Sequence, residues 1–126
     1  MSISLSKSAA VERARHEHPG VEFQTDATLF ANINASKEVW WYDLPLKKVT
    51  ENRRDFIDLL AFDYRTGELH CLHIPVDFFR INLSKLVIRG DKETISLELS
   101  ARASDRFQDV RATGGRVRFA QFEVLE

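Results

Sequence analysis

The sequence predicts a strand-dominated α+β domain, a mostly antiparallel twisted sheet built from hairpins with a short helix at the N-terminus. Three observations carry this. Apolar and polar residues alternate with period two in several segments, aromatic and β-branched residues gather in short runs bounded by turn residues, and helix-forming composition is confined to the first stretch of the chain. The chain has 126 residues, 44% of them apolar, and no repeat, low-complexity tract or Gly/Ser/Pro-rich linker, so residues 1–126 are expected to fold as one domain.

The elements follow in order. Residues 6–17 (SKSAAVERARHE) are rich in Ala, Glu and Arg, with Ser6 or Ser8 placed to cap the start and Pro19-Gly20 to stop the helix. Its apolar stripe, Ala9, Ala10, Val11 and Ala14, is thin and predicts a peripheral helix. From Val21 the period becomes two, predicting a strand that continues or is followed by another through Leu29–Ile33. Asn34-Ala35-Ser36-Lys37 is turn chemistry, and Glu38–Leu44 (EVWWYDL) is strand by composition and ends at Pro45, so the pair is expected to form a hairpin. A second hairpin is expected from Asp55–Asp63 and Leu69–Val76, joined by Tyr64-Arg65-Thr66-Gly67-Glu68, where Gly67 supplies positive φ. One helical turn should follow Pro75 before Leu86–Ile88. Thr94–Leu99 alternates as a strand with one buried face, and Val117–Phe122 is expected to be a final strand.

Composition limits the function. No apolar run approaches the roughly 20 residues of a membrane-spanning helix, and MSISLSKSAAVERAR holds no apolar signal core, which points to the cytoplasm. One cysteine, Cys71, excludes an intrachain disulfide. His70-Cys71-Leu72-His73 is the densest group of soft ligands. On a strand Cys71 and His73 share one face and His70 the other, leaving too few ligands for zinc, so no metal and no cofactor are expected. A Cys71–His73 nucleophilic pair lacks a base approaching from another element. Asp58 would share its face with Phe56, Leu60 and Phe62, so it must pair with a cation, shift its pKa or sit at an exposed end, and Arg53 or Arg54 would be the partner. Asp55 and Asp63 mark strand ends.

The net charge of −1 conceals a cancellation: residues 1–54 carry +1, 55–79 carry −4 and 80–126 carry +2. Within 102–118, Arg102, Arg106, Arg111, Arg116 and Arg118 stand against two aspartates, and Gly114-Gly115 offers a flexible loop between them. Lys47, Lys48, Arg53 and Arg54 form a second basic stretch. Arginine suits bidentate phosphate contact and an exposed Trp41 could stack on a base, so these residues are the candidate nucleic-acid contacts. The competing explanation is a solvated charged face. Of Trp40 and Trp41, which point to opposite faces of one strand, at most one is expected to be partly exposed.

At FANINASKEVWWYDLP, followed by DFIDLLAFD, a turn and LHCLHIPVDFF, the chain resembles PD-(D/E)XK nuclease-like, restriction-type proteins over residues 21–80. The resemblance implies a scaffold whose activity needs an acid and an acid-x-Lys pair around Mg²⁺. Asp26 would correspond to the upstream acid, whereas the acid-x-Lys position reads Asn32-Ile33-Asn34, and neither Glu-x-Lys nor Asp-x-Lys occurs in the chain. It therefore implies a non-catalytic module that binds nucleic acid or a nucleic-acid-processing partner. The alternative is a protein-interaction or self-assembling domain, a homodimer for instance, using apolar residues around Trp40, Phe78, Phe79 and Phe122.

Overall fold

The computed structural model describes residues 4–51, 54–111 and 113–125. The protein is α+β and strand-dominated, and the described residues hold six strands divided between two three-stranded sheets. Helix α1, Lys7–Glu17, begins at Ser6, whose hydroxyl accepts from the Ala9 N–H at 3.2 Å. It stops at His18, just before Pro19-Gly20. Ala10, Val11 and Ala14 are its buried side chains, while Ala9 is exposed.

The expected strand from Val21 is irregular and ends in a 3₁₀ turn at Thr25–Ala27; strand β1 covers only Thr28–Asn32. Strand β2, Val39–Pro45, leads into the single turn α2, Lys47–Thr50. Strands β3, Phe56–Asp63, and β4, Glu68–Pro75, form the expected second hairpin in continuous register from Phe56↔Pro75 to Asp63↔Glu68. Gly67 has φ +77°, and its N–H closes the turn on the Asp63 carbonyl at 2.8 Å. Helix α3, Val76–Ile81, a 3₁₀ turn at Leu83–Lys85, and strands β5, Val87–Arg89, and β6, Thr94–Ser100, complete the regular elements.

The first expected hairpin is corrected by the structure. Only Asn34 and Val39 bridge at its turn, and then the strands part. β1 runs parallel to β3 in the sheet β1-β3-β4, whereas β2 joins the antiparallel sheet β2-β6-β5. Burial explains the parting. Trp40, Tyr42 and Leu44 face across onto Ile57, Leu59 and Ala61, so the two sheets share one apolar core that a flat hairpin could not close. Two polar tips inside this core reach β3 carbonyls, Trp40 Nε1 to Phe62 at 3.1 Å and the Tyr42 hydroxyl to Leu60 at 2.7 Å.

The final strand is also corrected. Arg118 makes one isolated bridge to Gln108, and Ala120–Phe122 is a 3₁₀ turn. Helix α1 covers the other face of β1-β3-β4 through a smaller cluster with Phe23, Leu60, Phe62 and Cys71. The order of layers is helix, sheet, sheet. Among the described residues no helix is long and apolar enough to cross a membrane.

Candidate functional site

The basic residues occupy two places. Strand β2 separates them: its first residue, Val39, pairs with Ser100 where the Arg-bearing loop begins, and its last, Pro45, leads to Lys47 and Lys48. Six residue steps of extended chain put these ends about 20 Å apart. The two basic stretches therefore lie at opposite ends of β2, and Arg53 lies outside the described residues. Trp41 lies on the outer face of β2 opposite Glu98, 46% exposed, with its indole N–H on the Glu98 carboxylate at 2.7 Å and the Lys37 ammonium 5.0 Å from its ring centre. Trp40 is buried.

Residues 101–111 and 113–119 are tied together by backbone bonds. Ser100 and Phe107 are joined by the bond from the Phe107 N–H to the Ser100 carbonyl, Asp109 donates its N–H to Val117, and Phe119 donates to Phe107. The Phe107 ring anchors the loop in the core, stacked 5.5 Å from Trp40, although its backbone sits at φ 64°. Left-handed backbone costs a non-glycine residue about 1 kcal/mol, which burial of a Phe ring offsets. Gly115 is not a flexible spacer. Its N–H meets the Lys85 carbonyl at 2.7 Å, and a Cβ on it would fall 2.7 Å from Lys85 Cβ, so the loop docks where only glycine fits.

Partnering separates this loop from the rest of the surface. Outside it, Arg13, Arg15, Arg54, Arg65, Arg80 and Arg89 each bond a carboxylate or a carbonyl. Within it, Arg102 approaches the Glu38 carboxylate at 3.8 Å, and Arg111 is half-buried beside Asp109. Arg106, Arg116 and Arg118 are exposed and their side chains pair with no described residue. Arg106 and Arg118 line one recess with Ser104 and Gln108. Arg116 is itself left-handed, at φ 55°.

At the other end, Asp58 and His73 meet. They are cross-strand partners on the α1 face of the β3–β4 hairpin, and His73 Nδ1 lies 2.5 Å from Asp58 Oδ1. Asp58 is 2% exposed, and burial raises its pKa against the opposing pull of the His73 hydrogen bond and charge. Phe56 stacks on the imidazole with ring centres 3.9 Å apart. The partner foreseen for Asp58 was Arg53 or Arg54; Arg54 instead bonds Asp26 at 2.9 Å, because β3 pairing fixes His73 opposite Asp58 while Arg54 precedes the strand. That arginine holds the Asp26 carboxyl below its ordinary range.

Asp58 and His73 line a cleft of about 290 Å³ with Glu22, Gln24, Ala27, Arg54 and Asp55. An adjoining recess of about 220 Å³ shares Ala27 and Arg54 and adds Lys47, Lys48, Asp26 and Glu51. Spacing gave the face-mates of each residue along its own strand, Phe56, Leu60 and Phe62 for Asp58 and Cys71 for His73, and only the register brings the two onto one face and opposite each other.

Other candidates find structural partners. Cys71 is fully buried beneath α1 and its thiol is pushed up to about 12, first by burial and then by nearby carboxylates, so it is a poor nucleophile. His70 points to the opposite face, against Trp40 and Phe107, and its Nδ1 meets Glu123 at 2.8 Å. No group of three or more His, Cys, Asp or Glu among the described residues could hold a metal ion. Asn32 bonds both backbone groups of Leu5 and Asn34 accepts from Ser36 and Lys37, so both amides tie down local backbone. Phe79 is buried, while Phe78 packs edge-on against Phe119 and Phe122. No protein-family model, no curated protein and no solved structure matches the chain.

Proposed function

We propose that the protein is a non-catalytic module that binds nucleic-acid phosphates through the loop carrying Arg106, Arg116 and Arg118. One observation carries the reading: these three exposed arginines pair with no described residue, whereas each described arginine outside residues 102–118 bonds a carboxylate or carbonyl. A guanidinium left without an internal partner keeps its whole fork of donors for a phosphate. The loop is held by the buried Phe107 ring and by the Gly115–Lys85 approach, so binding need not order it first. Trp41 and Arg102 lie toward the same end of β2 and can extend the surface. Lys47, Lys48 and Arg54 stand at the far end and are not part of this contact.

The test is binding of duplex and single-stranded DNA and RNA by fluorescence anisotropy as a function of salt. If each of the three arginines neutralises one phosphate, log K against log salt for duplex DNA should fall with a slope of roughly −3. Arg106→Gln and Arg118→Gln should each flatten that slope by about 1, with little change in sequence preference. Absence of binding at low salt, or a slope indifferent to both substitutions, overturns the reading.

A further inference from the structure

We propose that the Asp58–His73 cleft and the adjoining lysine recess form one binding site for a small organic oxyanion, a phosphate monoester or a carboxylate. Its charged group would sit among Lys47, Lys48 and Arg54, and a hydroxyl or amide on its body would reach His73 Nε2.

The placement follows from which ring nitrogen is occupied. Nδ1 faces the buried Asp58 carboxyl group at 2.5 Å and is taken up by that contact. Nε2 bonds no described residue and is not among the buried unpartnered atoms, which leaves that ring edge open at the cleft. Asp58 and the stacked Phe56 fix the ring in both tilt and rotation. An acceptor stands in the same wall: Gln24 Oε1 is buried without a partner, a deficit that a ligand donor would relieve.

The cationic half is preorganised by Asp26. Its carboxylate takes Nε and Nη2 of Arg54, and its backbone carbonyl takes the Lys48 ammonium. Both cations are thereby positioned while keeping donors free, and Lys47 adds a third charge in the recess. Arg54 and Ala27 belong to both hollows, so a molecule a few atoms long can span from the cations to the imidazole. The carboxylates of Glu22, Asp55 and Asp58 and the Gln24 amide oxygen line the cleft, while in the recess three cations stand against Asp26 and Glu51, so the anionic group of the ligand belongs in the recess and its hydrogen-bond donors in the cleft. Catalysis is not required by this arrangement.

The experiment uses the full chain with histidine labelled at Cε1 and follows the ring signals by NMR. Glycerol 3-phosphate and malate are titrated as phosphate and carboxylate probes, with neutral glycerol and a short oligothymidylate as controls. A saturable shift of His73, with His70 unmoved on the opposite face, is expected for at least one oxyanion, and the probe that gives it names the source. Calorimetry should show affinity for that probe weakened roughly tenfold or more in Arg54→Gln and in His73→Gln, and less in Lys47→Gln, which is exposed and safe for folding. The proposal fails if neither oxyanion moves His73, if the oligothymidylate alone moves it, if glycerol shifts it as strongly as the anions, or if Arg54→Gln and Lys47→Gln both bind as the parent does. Loss of binding at this site leaves the Arg106–Arg118 slope intact, so the two readings fail separately.

Discussion

The two faces of strand β3 differ in what covers them. Ile57, Leu59 and Ala61 face a second sheet and are closed over by Trp40, Tyr42, Leu97 and their neighbours. Leu60 and Phe62 face helix α1, which brings only Ala10, Val11 and Ala14. Small side chains on a short helix cannot cover a whole sheet face, so cover ends before Asp58, where the segment from Gly20 to Gln24 borders an open cleft instead. The complete face is a core and the incomplete face leaves room for a site. Thin amphipathicity is thus a structural cause of the cleft.

The contrast can be broken from either side. Leu59→Ala removes a fully buried side chain from between the sheets and is expected to cost roughly 3 kcal/mol in chemical denaturation. A loss as small as that of an exposed site would mean the sheets do not pack as described. On the open face, replacing Asp58 and His73 together by leucine removes a largely buried polar pair, and stability should rise by about 1 kcal/mol while oxyanion binding disappears. A double variant much less stable than its parent would make the pair structural. Val11→Ala tests the helix cover. It is expected to cost about 1 kcal/mol by thermal melting, well below the Leu59 effect, since the cluster under α1 is smaller.

Smaller effects separate the two ends of the strand by pH. Arg65, bonding the Asp63 carboxylate at 3.0 Å, lowers its pKa, so that stabilisation is present above the unfolded value of 3.8 and is lost as pH falls through the folded one. Burial raises the pKa of Asp58, whose contribution is complete below 3.8 and is lost as pH rises through its folded value. Denaturation midpoints measured across the acid range should therefore diverge. The parent gains on Asp63→Asn as pH rises and loses on Asp58→Asn, and parallel curves would contradict both assignments. Finally, the native Cys71 thiol should stay unmodified by iodoacetamide at about pH 8 and react after unfolding. Ready native alkylation would show that α1 does not cover the face it is assigned.

Much of this was legible in local sequence. Ser6 and Pro19-Gly20 bound the helix, and Gly67 made the β3–β4 turn, because caps and turns are satisfied by atoms a few residues away. Period two located Cys71 and His73 on one face of their strand and His70 on the other, and Asp58 on the face of Phe56, Leu60 and Phe62. The final strand misled for the same reason in reverse. Alternation from Val117 to Phe122 fits any segment lying on an apolar surface, and no neighbour offers it a ladder beyond the Gln108–Arg118 bridge. Gly115 was likewise misread as slack, since the Lys85 backbone that demands it is distant in sequence.

Composition and spacing alone determined a strand-dominated α+β domain, its helix, its tightest hairpin and the clustering of five arginines within 102–118. Only the tertiary structure decided that β1 leaves β2 to lie parallel to β3, that the two basic stretches stand at opposite ends of β2, and that His73 lies opposite Asp58. Side-chain direction along a strand depends on the strand itself, whereas its neighbours depend on which apolar faces can be closed together. That choice is made by burial over the whole chain, so it is absent from any one segment.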